Sequence, residues 1–205
     1  MKGLTFLMIF AALLLSHPAP AQQALPDAPS EAASDSGSPR EPYLPPTQGQ
    51  RFKWYLTRTY GIYSILEAGA RGGIDQARNV PSEWPQGGQG YADRFGSAMG
   101  QIAIRGTTEY LVSDLLHEDL RFTSCNSPCT ESKFKRALAD TFTARKGDDG
   151  HRAFSVARLV GPIAGSTVAT TTWCPSGYRD REILRQTVIS YGFRFLRNYI
   201  REVAH

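Results

Sequence analysis

Residues 90–122, GYADRFGSAMGQIAIRGTTEYLVSDLLHEDLRF, are the longest uninterrupted pattern in the chain and set its fold class. They predict one long helix ending in a charged cap. Gly96 and Gly100 lie four apart on one helical face, where the lack of a side chain lets a second backbone come close. Ile102, Leu111, Val112, Leu115 and Leu116 supply apolar surface on the same segment. The four-residue glycine spacing recurs at Gly69/Gly73 and Gly161/Gly165. Close helix approach is therefore an expectation for the whole domain.

Upstream, Met1-Lys2-Gly3, the apolar run Leu4 to Leu15 and Ala19-Pro20-Ala21 have the charge, length and small-residue site of a secretory signal peptide over residues 1–21. The run stops at Ser16-His17-Pro18, short of the roughly 18 apolar residues a membrane span needs. Residues 22–50 are rich in Pro, Ser, Ala and acidic side chains and lack the apolar surface to offset the entropy of ordering, which predicts a disordered linker. An exported chain is the consequence, periplasmic or associated with the outer envelope.

The helical domain is expected over residues 51–205. Phe52, Tyr55, Leu56, Tyr60, Tyr63, Ile65 and Leu66 recur at helical steps, and the helix they mark runs on to Ala77 before Asn79-Val80-Pro81 ends it. Thr130 or Ser132 can cap a further helix with Phe134, Ala137, Leu138 and Phe142 as its apolar stripe. Lys146 to Gly150 reads as a turn, without the alternating acids and closing glutamate of a calcium loop. A helix over Ala153 to Trp173 and a last one from Asp180 to about Val203 complete a compact all-α bundle of four to five helices packed through small residues. The last helix alternates aromatic and aliphatic residues with Arg181, Arg185, Arg194, Arg197 and Arg201, a mixture that suits membrane interfaces and also soluble bundles.

The chain carries 23 basic and 19 acidic residues; excluding the first fifty positions leaves 21 and 15, a net +6 on the domain. Anionic membrane surface is a partner such a charge favours, and self-association is the other. The arginines are scattered rather than gathered on one element, and the address is extracellular, so nucleic acid is not expected. Export also permits disulfides, and the turn-forming insert between Cys125 and Cys129 makes a local bridge the expected state there, leaving Cys174 either buried and reduced or free to bridge two chains.

The signal peptide, the segment Leu25-Pro26-Asp27-Ala28-Pro29-Ser30, the Gly90-Tyr91-x-x-Arg94-Phe95-Gly96 helix start, the Glu118-Asp119-x-Arg121-Phe122 cap and the Phe142-x-x-Arg145-x-Gly147 turn together resemble a family of exported proteins of soil acidobacteria. In that family the cap more often reads Asp-Pro-Arg-Tyr; here Leu120 and Phe122 replace the proline and the tyrosine. The resemblance implies export and brings no activity with it.

Chemistry, if present, is expected at His117, Glu118, Asp119 and Arg121, where paired carboxylates beside an arginine can move protons. Arg94, Arg105 and Glu109 share their helix. Acidic groups at a helix C-terminus oppose its dipole, however, and a salt-bridge cluster answers that without catalysis. Trp84, in the loop PSEWPQGGQG, reads first as a core plug, with an interfacial anchor or a stacking platform for a sugar ligand as the alternatives. No cofactor motif, nucleophile elbow, phosphate loop or metal-ligand spacing is present, and whether the chain is an enzyme stays open.

Overall fold

The computed structural model describes residues 43–122, 131–147, 149–175 and 179–204. The signal peptide, most of the linker and the Cys125–Cys129 pair lie outside the described residues. The elements in chain order are α1 (Gln48–Tyr60), α2 (Ile62–Ala77), α3 (Gly88–Leu115), β1 (Glu118–Asp119), α4 (Lys133–Phe142), β2 (Thr143–Lys146), β3 (His151–Phe154), α5 (Val156–Thr172) and α6 (Arg179–Ala204). The expected helical bundle is present. α1 and α2 are the one helix anticipated from Arg51 to Ala77, interrupted at Gly61, where the backbone turns extended.

Local chemistry explains the boundaries. Thr47 and Gln50 form a capping box that starts α1 three residues before the expected Arg51. Ser132 accepts from the Lys135 amide at 3.3 Å and caps α4, one of the two residues anticipated for that role. α3 ends when Leu116 caps it and His117 turns left-handed at φ 53°, which sends Glu118 and Asp119 into an extended pair instead of prolonging the helix.

A small sheet is the addition to the expected all-α plan. β1, β2 and β3 are antiparallel in that order, with Asp119 opposite Arg145 and Arg145 opposite Arg152. The 146–150 turn is thus a hairpin, and α5 starts three residues later than expected because Ala153 and Phe154 are paired with β2. The cap residues of the long helix belong to this sheet.

α3 lies at the centre, against α1, α2 and α5, while α6 packs on α4 and α5. The glycine expectation is met at one of three pairs. A Cβ on Gly165 would stand 2.7 Å from the Gln101 carbonyl oxygen, and one on Gly161 would overlap the Glu109 side chain, so α5 meets α3 through this face. Gly73 and Gly96 face open space, Gly69 has room for a methyl, and Gly100 meets only the Trp173 side chain, at 3.2 Å; outside the four-residue pairs, Gly72 lets α2 approach the Phe95 backbone of α3 and Gly106 lets α3 approach Thr59 of α1.

What the bundle buries departs most from expectation. Among the described residues, 8 hydrophobic residues are buried and 6 of them are alanine, whereas 23 polar or charged residues are buried. The anticipated apolar stripes point outward: Leu56, Leu66, Leu111, Leu115, Phe134, Leu138, Leu196 and Ile200 are all exposed. Two small clusters, Ala68-Ala98-Ile102 and Leu120-Ala144-Ala157, are the apolar core.

Gly165→Ala is expected to lower stability by about 1–3 kcal/mol through overpacking against a rigid carbonyl. Gly96→Ala is expected to be neutral or stabilising by up to about 1 kcal/mol, since the helix gains propensity and nothing is displaced. Thermal melts of the two variants check the contrast.

Candidate functional site

The cap at 117–121 is built by the turn after α3. Glu118 is fully buried, and its carboxylate accepts from the Ser155 hydroxyl at 2.6 Å and from the amides of Val156 and Ala157 at 3.1 and 3.3 Å. It therefore sits on the N-terminus of α5, where the helix dipole favours an anion, rather than on the C-terminus of α3, where it would be opposed. Asp119 accepts from both Nε and Nη2 of Arg121, at 3.0 and 2.8 Å, and from the Tyr43 hydroxyl at 3.0 Å. Burial alone would raise the Asp119 carboxyl, but the Arg121 hydrogen bonds outweigh it and hold the group below its ordinary value.

Glu118, Asp119 and Arg121 line one shallow cleft of about 290 Å³ together with Arg51 and Trp54. His117 is exposed and does not line that cleft. The two acids are engaged in fixing the start of α5 and the segment at Tyr43 and Leu44, an arrangement that accounts for both without a proton-transfer role.

Trp84 lies elsewhere, on a cleft of about 500 Å³ that it shares with Arg71, Gln101, Cys174 and Arg185. Its loop is held by Arg94, which is buried and donates to the carbonyls of Val80, Pro81, Pro85 and Gly90 and to Gln76 Oε1, all within 3.0 Å. Arg94 is thus a loop anchor at the opposite end of α3 from the 117–121 cap. Cys174 is a partly buried free thiol, raised above its usual pKa by that burial. Among the described residues, no three His, Cys, Asp or Glu side chains converge as metal ligands would.

The densest charge is inside the bundle. Arg105 donates from both Nη atoms to the two oxygens of Glu67, at 2.8 and 3.0 Å, and Arg71 Nη1 lies 3.7 Å from Glu67. Arg71 reaches on to Gln101 at 2.7 Å and to Gln186. Glu109 pairs with Arg194, and Arg58 approaches its other oxygen at 3.8 Å. Arg194 also donates to the Arg158 carbonyl at 2.9 Å, and Arg158 to that of Leu120 at 3.0 Å. Arg105 and Glu109, four apart on α3, each pair with another helix and not with one another. Burial would raise both glutamates, but Arg105 with Arg71 holds Glu67 at about 2, and Arg194 with Arg58 holds Glu109 below its ordinary value.

The sequence carries a signal for this interior that an apolar reading passes over. Arg94, Gln101, Arg105, Glu109 and Ser113 on α3, and Gln186, Ser190, Arg194, Asn198 and Glu202 on α6, recur at four- or seven-residue steps and are all buried. That is a polar stripe with the period of a core face. No family model, curated protein or solved structure matches the chain.

Glu118→Ala is expected to cost about 2 kcal/mol, from the lost cap and the buried donors left behind; denaturant unfolding checks it. Glu67→Gln is expected to cost about 3 kcal/mol at neutral pH, because Arg105 stays buried without its counter-charge. The folded Glu67 pKa of about 2 lies below the unfolded value. The stability it contributes is therefore fully present above about pH 5 and lost as pH falls towards 2. Melts from pH 7 to 2.5 should show a shallower acid loss in the variant than in the parent.

Proposed function

We propose that this chain is an exported helical envelope protein that works without catalysis by seating its apolar exterior on a membrane. The observation that carries the reading is the inverted distribution of side chains. Among the described residues, 25 large hydrophobic side chains are exposed, and they occur on all six helices. Soluble monomers confine exposed apolar area to isolated residues or one patch, so an exterior of this kind calls for apolar surroundings.

A two-fold contact would cover one face, which favours lipid over a simple pair of copies. The +6 charge of residues 51–205 and aromatic-arginine pairs such as Arg201 with Tyr63 and Phe122, at 5.9 and 5.7 Å, suit the headgroup region of an anionic surface. No described helix is long and apolar enough to cross a membrane, so the reading is one of insertion into the interface, not of spanning by single helices. The alternative, a hydrolase or small-ligand protein using His117, Glu118, Asp119 and Arg121, has no comparable support, since both acids are held by structural partners.

The purified chain is expected to float with vesicles containing anionic lipid and to self-associate when detergent is removed without lipid. Replacing Leu56 and Leu66, both exposed, by Gln should leave helix content unchanged and weaken vesicle binding by about tenfold or more, given roughly 1.5 kcal/mol or more per buried leucine. A chain that stays monomeric in plain buffer and does not float at low salt sinks the proposal.

A further inference from the structure

Six arginines reach the interior: Arg58 from α1, Arg71 from α2, Arg105 from α3, Arg158 from α5, and Arg194 and Arg197 from α6. Two carboxylates, Glu67 and Glu109, lie among them. The neighbouring acids each have an arginine of their own, Asp75 with Arg185, Asp140 with Arg152 and Glu202 with Arg136, although Asp140 Oδ2 and Glu202 Oε1 stay buried without a hydrogen bond. The group therefore holds an excess of positive charge in a place where charges persist when paired.

The excess has a location. Among the described residues, the guanidinium groups of Arg58 and Arg197 donate no hydrogen bond: Arg58 has only a carboxylate oxygen at 3.8 Å and the Trp54 ring at 4.7 Å. The Nε atoms of Arg158, Arg194 and Arg197 are buried without a partner. Arg58 and Arg194 meet at the same carboxylate, Glu109, and Arg197 lies three residues beyond Arg194 on α6. Burial and then the Arg197 charge pull Arg58 well below the ordinary arginine range, and burial and then Arg105 pull Arg197 to about 9.

The pair is not sealed. The Arg58 side chain keeps 14% of its surface exposed, and Arg197 is half-buried. Arg201, one turn along α6, extends the cationic strip outward over Tyr63 and Phe122. Exposed Tyr60, Ile62 and Ile200 lie on the same elements. Guanidinium forks left with free donors fit a tetrahedral oxyanion, which can accept from several of them at once, better than they fit a spherical halide.

We propose that Arg58 and Arg197, with Arg201 at the rim, bind a phosphate oxyanion, supplied either as free phosphate or as the headgroup of an anionic phospholipid. The headgroup source rests on the membrane reading above; the phosphate chemistry stands without it.

The test is thermal melting of the purified chain in mild detergent, titrated with inorganic phosphate against sodium chloride of matched ionic strength. A parallel arm compares phosphatidylcholine micelles with and without phosphatidylglycerol. At about a hundred times its dissociation constant, phosphate is expected to raise the midpoint saturably by about 5–10 °C over chloride. A rise with inorganic phosphate assigns free phosphate as sufficient, and a rise with phosphatidylglycerol alone assigns the headgroup. R58Q and R197Q are each expected to raise the phosphate-free midpoint, by removing one of two repelling charges, and to abolish most of the ligand-induced rise. No rise over chloride or phosphatidylcholine in the parent chain overturns the assignment, whether or not the variants fold. So does a rise that survives both substitutions. Vesicle flotation is read separately, so loss of membrane binding leaves the phosphate arm standing.

Discussion

The pairing of Glu67 with Arg105, and of Glu109 with Arg194, is the constraint around which the helices are arranged. A carboxylate taken out of water must find a cation at hydrogen-bond distance, and these two find theirs on different helices. The requirement then propagates. Glu109 leans against Gly161, where no side chain fits beside it, and Gly165 lets α5 approach the Gln101 carbonyl. Gly161 thus makes room for a charged side chain of α3, and Gly165 for its backbone. Glu118 extends the same logic to the end of α5, where three donors of the helix start take up its charge.

Some helix ends are legible in the chain because they depend on local chemistry, whereas the break at Gly61 and the end of α3 at Leu115 are not. Ser132 caps α4 through its own hydroxyl, and the turn at Gly147 to Gly150 needs only residues that tolerate positive φ. The strands were not readable. β1 is two residues long, and TARK and HRAF lack the alternation that marks a half-buried strand, so their pairing depends on partners distant in sequence. The inward face of each helix is hidden in the sequence for a different reason. Periodicity identifies a stripe, but α6 carries two: Leu184, Val188, Leu196 and Ile200 on one side, Gln186, Ser190, Arg194 and Asn198 on the other. Choosing the apolar stripe as the inner one assumes water outside.

The candidate site shows a similar division. The charged segment 117–121 was visible as a cluster, yet its roles come from Ser155, 37 residues beyond Glu118, and from Tyr43, 76 residues before Asp119. Sequence proximity suggested that the two acids act together. The left-handed turn at His117 instead places them in a strand, where neighbouring side chains point to opposite faces. One goes to the α5 terminus and the other to Arg121, and the nearness of the acids in the chain carries no chemical partnership.

An apolar exterior also changes which force can specify the fold. In lipid or in a dense assembly, burying a leucine between helices gains little over leaving it outside, so hydrophobic burial no longer distinguishes one helix rotation from another. Close packing and interhelical polar contacts remain. Rotating α6 by half a turn would expose Arg194 and Glu202 to apolar surroundings and strand Glu109 and Arg136, at a cost of several kcal/mol per separated pair. The buried charges therefore act as register marks whose value rises as the surroundings become less polar. An interior with more guanidinium groups than carboxylates is the least expected version of such a core, because register alone would be served by balanced pairs. Arg58 and Arg197 add repulsion without adding a partner, and a bound anion converts that liability into a contact holding α1 to α6.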